Sequence, residues 1–137
     1  MFYGVICYVL SLALVLVFSM LYIFRSSFMP YHRNAIQRQW HEVDLRMQKL
    51  LLALMHALGV AWLSWFFFCV YLLTILLSGP VLIWQLVVFQ ILYVFSTLAP
   101  VTVAIRLRLQ TGAKTPVVGG AMAAALSVVG FICILLS

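Results

Sequence analysis

Charged residues are scarce in this chain of 137 residues. Aspartate, glutamate, lysine and arginine make up 7% of the sequence, against about a quarter of an average soluble domain. So few polar side chains cannot cover a water-facing surface, and the composition therefore excludes a soluble globular domain. Apolar residues take their place: 67% of the chain is hydrophobic, and the mean hydropathy is +1.23.

Four apolar runs are long enough to cross the roughly 30 Å hydrocarbon core of a bilayer, which takes about 20 helical residues. They cover residues 2–24, 50–78, 81–105 and 116–136. The first run is uncharged, follows no basic segment and is longer than a secretory signal core, so we interpret it as a retained span. Since lipid cannot satisfy backbone polar groups, each run is predicted to be helical. We expect an all-α fold, with residues 1–137 forming a single transmembrane domain built as a four-helix bundle.

The basic residues lie in two connections, between the first and second runs and between the third and fourth. They are Arg25, Arg33, Arg38, Arg46, Lys49, Arg106, Arg108 and Lys114. Because basic connections stay in the cytoplasm, both termini are predicted to be periplasmic. The net charge of +6 then indicates orientation and contact with membrane lipids, and not the binding of nucleic acid.

Residues 25–49 form the one extended connection. From Asn34 onward, apolar residues recur at steps of three and four, at Ile36, Trp40, Val43, Met47, Leu50 and Leu54. Arg38, Glu42 and Arg46 lie opposite, at a spacing that suits i,i+4 ion pairs. The pattern predicts an amphipathic cytoplasmic helix that lies on the membrane surface or runs directly into the second span. The absence of glycine and proline between Asn34 and Leu50 favours one continuous or slightly kinked helix.

His56 is the only histidine in the four predicted spans, and these spans contain no aspartate, glutamate, lysine or arginine. An ionisable residue inside a span is a candidate for function. Counting inward from the ends of the spans places Ser19, Ser96 and Thr97 at a similar depth. These four residues form a candidate intramembrane polar site. The alternative is a neutral histidine that shares a hydrogen bond with one of the hydroxyls. Under that alternative we expect the His56 ring to be buried between helices, without a wide cavity.

A second polar layer lies nearer the predicted periplasmic side, where Gln90, Ser11 and Ser127 reach similar depths. A buried glutamine amide needs hydrogen-bond partners, so helix packing is favoured over a substrate site. The fourth span also carries a ridge of small residues at steps of four, four and three: Gly119, Ala123, Ser127 and Gly130. Such a ridge lets helix backbones approach closely, and it faces either the bundle or a second copy of the chain.

Two further patterns raise the question of a ligand. Trp62 and Trp65 lie in the middle of the second span, where they line a pocket for a flat lipophilic molecule such as a quinone, fill space against neighbouring helices or face lipid tails. His32, His41, Glu42 and Asp44 are rich in metal-binding atoms, but a metal site needs three or four converging ligands, and this spacing does not fix that geometry. We therefore predict no metal and no cofactor.

The two predicted cytoplasmic connections carry a resemblance to known proteins. It rests on Phe28-Met29-Pro30-Tyr31-His32, Trp40-x-Glu42, the LLLAL stretch at 50–54, Arg106-Leu107-Arg108 and the TGAKTP stretch at 111–116. Together these motifs resemble a group of small, four-span proteins of the bacterial inner membrane that have no assigned activity. The resemblance covers most of the chain and implies that location and four spans. Small multidrug transporters are similar in length, but the first span here lacks their carboxylate.

Two functional hypotheses follow. The first is a multi-pass protein without evident catalytic machinery, an accessory or scaffold subunit whose cytoplasmic segment contacts a protein partner or a second copy. The second is a small membrane enzyme or carrier for a lipophilic molecule that uses His56 and the aromatic residues of the second span. The sequence favours the first hypothesis, because the spans contain one ionisable residue, His56, and no second one to act with it. A deep pocket that opens from the inner leaflet onto His56, Trp62 or Trp65 would favour the second hypothesis.

Overall fold

All regular secondary structure in the described part of the chain is helical. The structure, a computed structural model, describes residues 1–80 and 82–137. Those residues form five α-helices and no strand: α1 (Phe2–Ile23), α2 (Pro30–Ile36), α3 (Leu45–Leu77), α4 (Ile83–Thr111) and α5 (Val117–Leu135). Val81, the predicted first residue of the third span, lies outside the described residues.

Four of these helices, α1, α3, α4 and α5, are long and apolar enough to cross a membrane, as length and composition judge it. The prediction of four apolar helical runs is therefore confirmed, and the chain is consistent with a multi-pass membrane protein. At 33 residues, α3 is about 50 Å long at 1.5 Å per residue, so it exceeds the hydrocarbon thickness. Its first turns contain Arg46 and Lys49.

The bundle is arranged around α1. This helix packs along both α3 and α5, and α4 packs along α5, whereas α3 and α4 meet over only a short stretch. Since successive long helices run in opposite directions, the end of α1, the start of α3, the end of α4 and the start of α5 lie at one end of the bundle. All eight lysine and arginine residues occur there, and we call it the basic end.

The closely packed core lies towards the opposite end. It contains Tyr8, Leu12, Val15, Cys69, Leu73, Leu76, Leu86, Phe89, Tyr93 and Ile134. Glycine allows α1 and α5 to approach there: a Cβ atom added to Gly130 would lie 2.9 Å from the carbonyl oxygen of Gly4. At Gly59, an added Cβ would lie 2.9 Å from the backbone nitrogen of Ile23, so α1 and α3 are also in close contact. Glycines thus allow both α3 and α5 to pack closely against α1.

The connection between α1 and α3 differs from its prediction. Gln37 adopts the left-handed conformation, with φ of 53°, and ends α2. After a single 3₁₀ turn, the Asp44 carboxylate accepts hydrogen bonds from the backbone N–H groups of Arg46 and Met47 and begins α3. The prediction of one continuous helix from Asn34 is therefore wrong, because local capping by polar groups overrides the apolar periodicity. Glu42, predicted to pair with arginines, accepts instead from the backbone N–H of Gln39.

Candidate functional site

His56 lies on the outer surface of α3. Its side chain is exposed, and Nε2 is 3.0 Å from the backbone carbonyl oxygen of Arg25. A carbonyl can only accept, so this bond requires the tautomer with a proton on Nε2. The buried side of α3 passes through Met55 and Gly59, and one residue further along a helix is rotated by about 100°. The structure thus differs from the expectation of a ring buried between helices.

The other three members of the predicted polar site bond elsewhere. Ser19 donates to the carbonyl of Gly59 at 2.8 Å, which ties α1 to α3. Ser96 and Thr97 both donate to the carbonyl of Tyr93 in their own helix, at 2.8 and 2.9 Å. The four side chains are therefore each satisfied by a backbone carbonyl, and the structure does not bring them together into one site.

The second predicted polar layer forms a buried hydrogen-bonded network. Tyr8 donates to Oε1 of Gln90 at 2.6 Å, and Nε2 of Gln90 donates to Ser127 at 3.1 Å. Ser11 donates to the carbonyl of Ala123 at 2.6 Å and lies 2.8 Å from the hydroxyl of Tyr93. Because the single Ser11 proton is already committed to Ala123, Tyr93 must be the donor in that contact.

The network ends on backbone carbonyls of α5. Ser127 donates to the carbonyl of Ala124 at 2.8 Å, next to the Ala123 carbonyl that accepts from Ser11. Each hydroxyl proton in the network has an acceptor, and these hydrogen bonds join α1, α4 and α5. This arrangement favours the packing interpretation of Gln90, Ser11 and Ser127. Sequence reasoning missed the two tyrosines, although Tyr8 and Tyr93 each lie one helical turn from a predicted member.

The small-residue ridge of α5 faces the bundle. Ala123, Ser127 and Gly130 are buried. A Cβ atom added to Gly119 would lie 2.8 Å from Cε2 of Phe18, and one added to Gly130 would lie 3.0 Å from the Tyr8 ring. All four positions of the ridge are therefore used within one chain, mainly against α1.

A cavity of about 510 Å³ occupies the half of the bundle nearer the basic end. This volume lies within the roughly 300–1,000 Å³ of typical small-molecule sites. The lining is mostly apolar, and its members come from all five helices and from the two residues just before α5: Leu14, Val15, Phe18, Tyr22, Tyr31, His32, Leu51, Leu54, Met55, Leu58, Trp62, Thr97, Pro100, Val101, Val103, Ala104, Leu107, Thr115, Pro116, Gly119, Gly120 and Ala123.

The cavity lies where α3 and α4 are apart. Along this part of the bundle, the wall residues Leu54 and Leu58 of α3 and Val103 of α4 are also exposed on the surface, at 57%, 45% and 65%. The cavity therefore opens sideways between these two helices, on the flank of the bundle. Pro100 lies in the wall of α4 and has no N–H to donate to the carbonyl of Ser96.

The short helix α2 closes the cavity at the basic end. Tyr31 and His32 of α2 contribute to the lining, and α2 contacts α4. The Tyr31 hydroxyl is hydrogen-bonded to the hydroxyl of Tyr22 in α1. Phe28 and Met29, just before α2, are buried, which anchors the segment to the bundle. Sequence reasoning considered His32 only as a metal ligand and did not assign Tyr31 to any site, because both lie outside the apolar runs in which it looked for a lipophilic ligand.

Burial determines the protonation of this closing segment. Desolvation lowers the pKa of His32 below its ordinary value, so the imidazole is neutral at neutral pH. Desolvation raises the pKa of Tyr31, and the hydrogen bond with Tyr22 raises it further, so the Tyr31 hydroxyl stays protonated. The polar groups that α2 adds to the cavity are therefore uncharged.

The two tryptophans of the predicted ligand lining differ in their relation to the cavity. Both pack against the closely packed core, but Trp62 also lines the cavity, whereas Trp65 is not part of the lining. Nε1 of Trp65 is buried without a hydrogen-bond partner among the described residues. Of the predicted ligand-lining pair, the structure thus places Trp62 alone at a cavity.

Within residues 1–80 and 82–137, no three His, Cys, Asp or Glu side chains come together at a distance that could hold a metal ion. Comparisons with models of protein families, with curated proteins and with solved structures found no match for this chain. Function must therefore be inferred from the site itself.

Proposed function

We propose that this chain binds a lipophilic molecule, which enters the cavity between α3 and α4 from the bilayer. The observation that carries the proposal is the cavity of about 510 Å³ that is lined by Trp62 and opens sideways towards lipid. An enzyme and a carrier for a lipophilic molecule both need such a binding step. His56, which faces outward, has no part in the proposed site.

The accessory or scaffold hypothesis uses a different surface. It depends on the connection between α1 and α3, where Arg33, Arg38 and Glu42 are exposed. Both hypotheses are compatible with the same bundle, but only ligand binding gives a reason for a cavity in a bundle whose other half is closely packed. We therefore take lipophile binding as the function that the geometry supports best.

Mass spectrometry of molecules that co-purify after gentle extraction tests the proposal. We expect the wild-type protein to retain a lipophile that is enriched over the bulk lipid extract. The substitution Ala104→Phe places a ring in the cavity wall, and we expect it to reduce this enrichment about tenfold or more, equivalent to about 1.4 kcal/mol of binding. Leu58→Trp fills the cavity from the opposite wall and should have the same effect.

Ala61→Phe is the matched control, because Ala61 lies on α3, is exposed and is not part of the lining. It makes the same chemical change without filling the cavity, so retention should equal that of the wild type. Thermal unfolding in the same detergent identifies a variant that fails to fold. Equal retention by folded Ala104→Phe, Leu58→Trp and Ala61→Phe variants would contradict the proposal.

We further propose that the protein resides in the bacterial inner membrane, with the basic end in the cytoplasm and both termini in the periplasm. The grouping of every basic residue at one end supports this orientation. Alkaline phosphatase, which is active only in the periplasm, should be active when fused after Gly79 or Ser137. Fusions after Gln39 or Gly112 should be inactive, and the reverse pattern would refute the orientation.

A further inference from the structure

The polar groups of the cavity identify a class of ligand. Resting on the lipophile binding proposed above, we propose that the cavity takes an uncharged amphiphile from the bilayer, whose hydrogen-bonding head group lies against Tyr22, Tyr31 and His32. A single alcohol or carbonyl function on an apolar body has the required chemistry. The geometry places this head group at the basic end, and the apolar body extends towards Trp62.

Charge complementarity favours an uncharged occupant. None of the lining residues is an aspartate, glutamate, lysine or arginine. Arg33, Arg106 and Arg108 lie at the same end of the bundle, but they are exposed and outside the lining, and the half-buried Arg25, three residues after Tyr22, is outside it as well. An anionic head group inside the cavity would lose its water without gaining an arginine or lysine among the lining residues, and an unpaired buried charge is strongly unfavourable.

The three polar side chains offer both donors and acceptors. In the Tyr22–Tyr31 pair, one hydroxyl donates to the other, so the accepting hydroxyl keeps its own proton for a ligand. Neutral His32 adds one N–H and one acceptor nitrogen, and burial lowers the pKa of this side chain and so keeps it in that form. Thr97 and Thr115 are less available as donors, because each already donates to a backbone carbonyl.

Recognition in a bilayer must depend on the head group. An apolar chain gains little when it moves from lipid into an apolar cavity, since lipid tails are as apolar as leucine. Burial of the chain therefore cannot distinguish a ligand from the surrounding lipid. Hydrogen bonds to the head group and the shape of the cavity remain as the sources of selectivity.

Two matched photoreactive probes test the inference. A hexadecanol and a palmitate, with the same diazirine and alkyne on the chain, are added to the purified protein in vesicles of phosphatidylethanolamine and phosphatidylglycerol. The measurement is made at an alkaline pH that ionises the palmitate. Peptide mapping then gives labelling of the cavity wall relative to the outward face of the same helices. We expect the alcohol to be enriched in the cavity and the carboxylate to remain at the level of the outward face.

The double variant Tyr22→Phe/Tyr31→Phe removes both hydroxyls and keeps the rings. We expect it to lower the enrichment of the alcohol between about twofold and tenfold, as the loss of one hydrogen bond implies. Tyr71→Phe is the control, because Tyr71 is exposed on α3 and lies outside the lining. It should leave the labelling of the cavity wall unchanged.

The outcomes separate this inference from the proposed function. Equal enrichment of both probes, or preference for the carboxylate, would overturn the inference and leave lipophile binding in place. An alcohol preference that survives in the double tyrosine variant would overturn the position of the head group. If neither probe labels the cavity wall above the outward face, both the inference and the proposed function fail.

Discussion

Gly130→Leu is expected to destabilise the bundle by about 1–3 kcal/mol or more, the usual cost of overpacking. A Cβ atom at this position would lie 2.9 Å from the carbonyl oxygen of Gly4 and 3.0 Å from the Tyr8 ring. The first of these neighbours is backbone and cannot rotate away, so α1 and α5 must move apart. That movement also stretches the bond from Ser11 to the carbonyl of Ala123. Unfolding in mixed dodecyl maltoside and SDS micelles measures the loss.

Two variants define the interpretation of this result. Gly130→Ala adds only the Cβ atom and should cause a smaller loss in the same direction. Gly79→Leu makes the same change as Gly130→Leu at a position where an added Cβ meets no atom within 4 Å, so it should change stability by no more than about 0.5 kcal/mol. Equal losses at residues 79 and 130 would show that leucine acts through a general effect and not through the contact between α1 and α5.

The four spans were predictable because lipid sorts residues by polarity along the chain. The start of α3 was not predictable in this way, because it lies in the connection between α1 and α3, outside the apolar runs. There the Asp44 carboxylate caps the backbone of Arg46 and Met47, and Gln37 takes a positive φ that ends α2. Apolar periodicity does not report such local polar bonds. The apolar stripe from Ile36 to Leu54 therefore suggested a helix that is longer than the one formed.

Depth along a span was predictable, but the direction of a side chain around the helix was not. Ser19 bonds to the carbonyl of Gly59, one turn from His56, so the two residues do lie at similar depths. In a soluble helix, polar residues mark the outer face, whereas in these spans both faces are apolar. His56 therefore gave no sign in the sequence that it faces outward. The cavity was not predicted either, because it depends on how far α3 and α4 lie apart, and the pattern of apolar residues does not determine that distance.

Gln90→Leu and Tyr8→Phe are expected to be coupled. Each substitution alone leaves a buried partner without its bond: Gln90→Leu strands the Tyr8 hydroxyl, and Tyr8→Phe strands Oε1 of Gln90. Leaving a buried polar group unsatisfied costs about 1–3 kcal/mol, and lipid offers no replacement partner. Gln90→Leu should be the more costly, because it also removes the bond to Ser127. Unfolding in mixed micelles gives the free energy of each variant.

The double variant Tyr8→Phe/Gln90→Leu should cost less than the sum of the single variants, since the second change removes a group that the first has already stranded. Cycles of this kind in membrane proteins give couplings of about 0.6 kcal/mol on average and up to about 1.7. We expect a value towards the upper end, because the 2.6 Å bond is buried. Tyr71→Phe with Gln85→Leu is the control cycle, in which Tyr71 is exposed, and its effects should add to within about 0.5 kcal/mol. Additive effects at Tyr8 and Gln90 would mean that this hydrogen bond does not stabilise the link between α1 and α4, and that the shapes of the packed side chains do.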